Sequence, residues 1–329
     1  MSTFGGREEP PELAPKIVAI GGGTGLSTLL RGLKAYTPFL TAIVTVADDG
    51  GSSGRLRREM GVLPPGDFRN CIAALADDEA LITQLFQYRF GQGHGLDGHC
   101  FGNLFITALA EVTGSFERAI VETARVLAVR GRVLPSTLED VTLVADVRQP
   151  VGPNTAGLTR IQGESAIPKA GQPIERVFLR PDRVRAYPNA VRAILEADLV
   201  IAGPGSLFTS ILPNLLVPGI RRSVEVSEAL KLYVCNVATQ PGETDGFDVG
   251  QHMEALERHA GRGLFPYVLA NAAQGEGQEH PSIQMVAPHH PPDRGYRVIS
   301  AALADRAVPW RHDSDELAKQ VMSFYHCHR

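Results

Sequence analysis

Gly21-Gly22-Gly23-Thr24-Gly25 is the segment of this chain best suited to chemistry. Four glycines in five residues leave backbone amides uncovered by side chains. Amides exposed in this way at a helix N-terminus attract an anion such as phosphate. The run is not a P-loop, because no Gly-Lys-Ser/Thr follows it. Its spacing also departs from the dinucleotide fingerprint: the third glycine position is Leu26 counted from Gly21 and Thr28 counted from Gly23. A nucleotide or another phosphorylated ligand is the expectation.

Further segments can serve such a ligand. Asp48-Asp49-Gly50-Gly51-Ser52-Ser53-Gly54 brings two carboxylates. One acid at this point in a dinucleotide fold binds a ribose, and two could hold Mg²⁺ beside a phosphate, with Asp49 the metal ligand. Gly203-Pro204-Gly205-Ser206 is a second glycine turn ahead of an apolar helix pattern, a second place for an anion. Asn236 and Thr239 offer uncharged partners for a sugar or base edge. Asp67, Arg69 and Asn70, with Asn103 further on, add an acid, a cation and two amides. No Gly-x-Ser-x-Gly elbow is present, and no cysteine has an evident partner base. If the chain is an enzyme, positioning and a metal serve it better than a covalent intermediate, with Asp49 and Asp67 as the acid/base groups.

The elements that position these residues alternate. Strand Ile17–Ile20, helix Leu26–Ala35 and strand Ala42–Ala47 form a βαβ unit with parallel strands. Helical periodicity takes over from Arg55 to Arg130, in Ala80–Phe90, Asn103–Val112 and Ser115–Val129. Strands return at Val141–Val147, Arg176–Leu179, Asp198–Ala202, Leu232–Asn236 and Tyr267–Ala270, with helices at Val191–Glu196, Leu207–Leu216 and Val249–His259. Gln274–Arg294 reads as a loop, and Ser314–Tyr325 as a closing helix capped by Ser314. The expected fold is a Rossmann-like three-layer α/β/α parallel sheet with an inserted helical lobe. The expected organisation is a disordered leader 1–15, a nucleotide-binding core 16–54 and 131–329, and a lobe 55–130.

Composition narrows the function. The chain has 329 residues and a net charge of -4, which gives no electrostatic footprint for nucleic acid. No apolar run reaches membrane-spanning length, and no signal peptide opens the chain. The four cysteines lack a Cys-x-x-Cys pair, which suits reduced thiols in a cytoplasm. His99-Cys100 and His326-Cys327-His328 match no zinc spacing.

The motifs taken together resemble the CofD-like superfamily, and specifically its gluconeogenesis-factor branch. Those that carry the resemblance are residues 21–27, Asp48–Gly54, Pro65–Asn70, Gly203–Ser206 with Thr209, Ser210 and Ile211, Pro213–Leu216, Asn236 with Thr239–Thr244, and Arg311-His312-Asp313. One branch of the superfamily comprises Mg²⁺-dependent 2-phospho-L-lactate transferases that use a guanine nucleotide donor. The other is a bacterial factor linked to cell shape, cell-wall synthesis and growth on gluconeogenic carbon. Gly51-Ser52-Ser53 and Gly205-Ser206-Leu207 resemble the second branch. The resemblance implies a UDP-sugar ligand, with GDP, GTP or NAD as alternatives, and a homodimer with a regulatory or cell-wall protein partner. It also implies that Gly22–Gly25 and Gly203–Ser206 hold a diphosphate, that Asp48 or Asp49 faces ligand or metal, and that Asp67, Arg69 and Asn70 wall the pocket.

Overall fold

A computed structural model describes residues 14–76, 81–92, 95–152, 155–272, 283–290 and 294–329. The leader read at 1–15 therefore lies outside the described residues up to 13, as does most of the Gln274–Arg294 loop.

The chain opens with β1 (Ile17–Gly21), α1 (Gly23–Leu33) and β2 (Leu40–Val44). Both strands are buried along their whole length, which is why they read as continuous apolar runs. α1 buries Leu26, Leu29, Leu30 and Leu33, one stripe at helical spacing. Five helices follow: α2 (Gly51–Met60), α3 (Gly66–Leu75), α4 (Leu81–Gln87), α5 (Phe101–Thr113) and α6 (Phe116–Val126). Next come β3 (Arg132–Pro135), β4 (Thr142–Gly152), β5 (Thr155–Gln162), β6 (Ile174–Arg180), α7 (Pro188–Leu195) and β7 (Leu199–Ala202). A π-helical turn at Leu207–Ile211 leads into α8 (Leu212–Leu215) and α9 (Pro218–Val226). The chain ends with β8 (Leu230–Val234), α10 (Val249–Ala260), β9 (Tyr267–Asn271), β10 (Arg297–Ala301) and α11 (Ser314–His328).

Seven strands form a parallel sheet in the order β10-β9-β8-β7-β1-β2-β3, flanked by helices. This is the Rossmann-like α/β architecture read from the sequence. From β1 the chain moves outward through β2 to β3, then returns to β7 and moves outward the other way to β10. The strand order thus reverses between β1 and β7, and ligands of open α/β sheets sit at such a switch point, beyond the carboxyl ends of the strands.

Several local readings are corrected. α1 starts at Gly23 rather than Leu26, so Gly23 and Gly25 belong to its first turn. Likewise Gly51–Gly54 is the first turn of α2, so the helix begins before Arg55, where helical periodicity takes over in the sequence. β4, β5 and β6 leave the parallel sheet and form an antiparallel one of their own, in the order β5-β4-β6. The cap of α11 is Asp313, whose carboxylate accepts from the amides of Asp315 and Glu316; the Ser314 hydroxyl donates instead to the Thr28 carbonyl at 2.8 Å. No described helix is long and apolar enough to cross a membrane.

Candidate functional site

β1 delivers Gly22 to the switch point as the N-cap of α1, where it has no side chain of its own to cap the amides that follow. Gly23 has φ +64°, a left-handed conformation that favours glycine, and a Cβ there would meet only Ser210 Oγ at 3.9 Å. Gly25 is fixed by packing, since a Cβ would lie 2.6 Å from the Pro204 carbonyl oxygen. These contacts seat the N-terminus of α1 against the turn after β7. Between them opens a cleft of about 470 Å³, lined also by the loop after β8.

The turn after β7 repeats the strand-glycine-helix pattern, but its groups are spent differently. Pro213 has no N–H to donate to the Thr209 carbonyl, so a regular α-helix cannot run through this point. The turn widens instead: Ile211 and Leu212 donate five residues back, to Ser206 and Leu207. The Asn214 amide takes up the Ser210 carbonyl at 2.8 Å and the Gly21 carbonyl at 2.9 Å, tying this turn to the end of β1. Asn236 bridges Gly205 on both sides, accepting from its amide at 3.1 Å and donating to its carbonyl at 2.9 Å. Glu243, almost fully buried, accepts from the Thr209 hydroxyl at 3.1 Å and from the amides of Phe208 and Thr209. The anion position expected at this second turn is filled by the chain's own carboxyl group.

Three carboxyls face the cleft: Asp48, Asp67 and Glu164. Burial pushes Asp67 up to about 7 and the neighbouring Asp48 charge adds to it, while the Gly23 amide and the Arg69 guanidinium hold it back. Burial, reinforced by Asp48 and Asp67, pushes Glu164 up to about 8. Asp48 is raised by burial against hydrogen bonds from the Gly50 amide and Ser53. Near neutrality this wall therefore carries protons that a cation or donor could replace.

Of the residues expected in the site, Gly22, Gly23, Thr24, Gly25, Asp48, Asp67, Pro204, Gly205, Ser206, Asn236 and Thr239 line the cleft. Asp49, Arg69, Asn70, Asn103 and Gly203 do not. Asp49 accepts from the Ser165 amide at 2.9 Å and so holds the loop that presents Glu164. Arg69 turns towards the helices, donating to Cys100 Sγ at 2.9 Å and to Asn70 Oδ1 at 2.7 Å. His99, the other half of that His-Cys pair, shares a 3.0 Å hydrogen bond with Ser52. Among the described residues no three acidic, histidine or cysteine groups stand together as a metal site. Glu164, Trp310 and Arg311 also line the cleft, and site reasoning from sequence left them out. Arg311 is the one lysine or arginine among its described lining residues. The only signal for it was the Arg311-His312-Asp313 motif in the family resemblance; Glu164 had none.

Comparison with known proteins agrees with the fold and with the family resemblance. Residues 17–324 match the family model of 2-phospho-L-lactate transferase CofD. The gluconeogenesis factor of Bacillus subtilis is 52% identical over 258 residues, covering 78% of this chain and 79% of that protein. The gluconeogenesis factor of Halalkalibacterium halodurans is 49% identical over 255 residues, covering 78% and 77%. A crystal structure of a Bacillus halodurans protein superposes with a TM-score of 0.84 at 42% identity, covering 94% of this chain and 99% of that one.

Proposed function

Since the chain belongs to the CofD family, we propose that its cleft binds a nucleotide diphosphate-sugar of the UDP type. One observation carries this reading: a helix N-terminus whose glycine N-cap brings no capping side chain, with only the Gly23 amide met by a carboxyl, faces the cleft at the point where strand order reverses. The diphosphate would lie over Gly22–Gly25 with Arg311 as its counter-charge. Trp310, Ile283 and Pro241 would wall the base, and Thr239 and Ser206 would meet hydroxyls. Following the name its relatives carry and the resemblance described above, occupancy of the cleft would signal carbon supply to cell-wall synthesis through a protein partner.

Asp48, Asp67 and Glu164 supply oxygen donors of the kind Mg²⁺ takes, but not a preformed cage. When bound, the ion would offset repulsion between these carboxyls and the phosphates. Two carboxyls poised near neutrality also suit a transferase, with Asp67 moving a proton to or from an acceptor hydroxyl.

Thermal stabilisation by UDP-GlcNAc, UDP-glucose, GDP, GTP and NAD, each with and without Mg²⁺, tests both readings. A ligand at about a hundred times its dissociation constant adds ~2.7 kcal/mol. Selective stabilisation by UDP-sugars without turnover is the expected result. Metal-dependent stabilisation by guanine nucleotides, with product formation abolished in Asp67→Asn, would establish the transferase instead.

A further inference from the structure

The antiparallel sheet carries a feature that the cleft does not use. Its register places Asp146 opposite Arg160 on β5 and Arg176 on β6, and Val144 opposite Phe178. Alternation along the strands then puts Arg148, Leu158, Arg160, Arg176, Phe178 and Arg180 on one face. The opposite face is buried through Leu143, Ala145, Val147, Val177 and Leu179. On the outer face Asp146 is 4% exposed and forked between two guanidiniums, Arg160 at 2.9 Å and Arg176 at 2.7 Å. The guanidinium carbons of Arg160, Arg176 and Arg180 stand 5.1, 5.3 and 5.9 Å from the centre of the Phe178 ring.

Four arginines thus share a face with one buried acid, in a chain whose net charge is -4. Glu175 neutralises Arg148 from the side at 2.7 Å, which leaves the centre of the face positive. Three guanidiniums gathered around one ring repel one another, and an incoming anion would relieve that repulsion. Among the described residues β5 pairs only with β4, which makes it an edge strand. Leu158 on this edge strand is 63% exposed, an apolar contact beside the arginines.

We propose that this face docks an extended acidic segment of a partner protein. The segment lies extended across the outer face of the three strands, its alternate carboxylates against the arginines and its end beside Leu158. The negative charge of the whole chain disfavours long polyanions such as nucleic acid or an anionic bilayer, and favours a short segment recognised at close range.

The test uses the full chain and a fluorescein-labelled peptide of alternating Glu and Val, followed by anisotropy. The variant is Arg180→Glu combined with Leu158→Asp; neither residue holds Asp146, so the melting temperature should be unchanged. Binding of the peptide, weaker at about 300 mM than at about 50 mM KCl and weakened about tenfold or more in the variant, is the expected result. A block peptide of the same composition should bind less tightly, because its charges cannot keep to one face of a strand. The proposal is overturned if the alternating peptide does not bind, if the block peptide binds equally well, or if the variant binds unchanged. Capture by phosphatidylglycerol vesicles without peptide binding would overturn it in favour of a membrane surface.

Discussion

The turns after β1 and β7 look alike in sequence and differ in what they leave free. Each runs from a buried strand through glycines into a helical segment beside the same cleft. After β1, an 11-residue helix starts on a glycine N-cap that supplies no side chain, and Asp67 meets the Gly23 amide alone. After β7, Asn236 holds Gly205, and Glu243 takes the amides of Phe208 and Thr209. On the proposed reading the first turn receives the phosphate, and the second acts as a strut that shapes the wall opposite. A glycine turn therefore reads as an anion site only once its amides have been accounted for.

The largest expected effect falls where the two turns touch. Gly25→Ala drives a methyl group against the Pro204 backbone, which cannot move aside without shifting the turn after β7. A loss of about 3 kcal/mol is expected in a urea titration. A change below about 1 kcal/mol would mean that the turns are not in rigid contact. Next comes the strut. Asn236→Ala removes both bonds to Gly205 and should cost about 2 kcal/mol. UDP-glucose affinity should then change less than threefold when measured well below the melting temperature. A large affinity loss at unchanged stability would make Asn236 a ligand contact rather than a positioning residue.

The same contrast explains what could be read from the sequence. β1, α1 and β2 were legible because one buried strand, a glycine run and a helical leucine stripe lie together within about one βαβ unit. β4 misled because Leu143, Val144, Ala145 and Val147 are all buried, as in a strand of the parallel sheet. β5 was missed because Thr155–Gln162 lacks an apolar alternation. The widened turn at Leu207–Ile211 had a visible cause in Pro213, but its consequence depends on Asn214 reaching Gly21, 193 residues away. Glu164 could not be found at all, since Asp49 holds its loop across 116 residues of chain. What local pattern conveys is the element; which amides are already taken is decided by groups far off in sequence.

A smaller effect separates counter-charge from fold. Arg311 is exposed at the cleft and forms no ion pair among the described residues. Arg311→Ala should leave the melting temperature in place and weaken UDP-glucose binding about tenfold, the equivalent of ~1.4 kcal/mol. Equal affinity in the variant would move the diphosphate away from Arg311 and leave the turn after β1 without its cationic partner.

The smallest expected effect has the opposite sign. Asp67 has its pKa raised from 3.8 to about 7 by burial, so the folded protein holds a proton there that the unfolded chain releases at lower pH. Between these two values the native state binds more protons than the unfolded state, and stability must fall as pH rises through that window and then level off. Glu164, raised from 4.5 to about 8, extends the fall slightly further. Asp67→Asn keeps an oxygen that can accept from the Gly23 amide but cannot ionise. Because Asp67 is only partly sheltered from solvent, the gain should be about 1 kcal/mol at about pH 8 and near zero at about pH 4. Urea titrations at four pH values measure it. If wild type and variant run parallel across the range, the Asp67 carboxylate is ionised and solvated in the cleft. The turn after β1 would then meet its phosphate beside a fixed negative charge, and binding at neutral pH would require Mg²⁺.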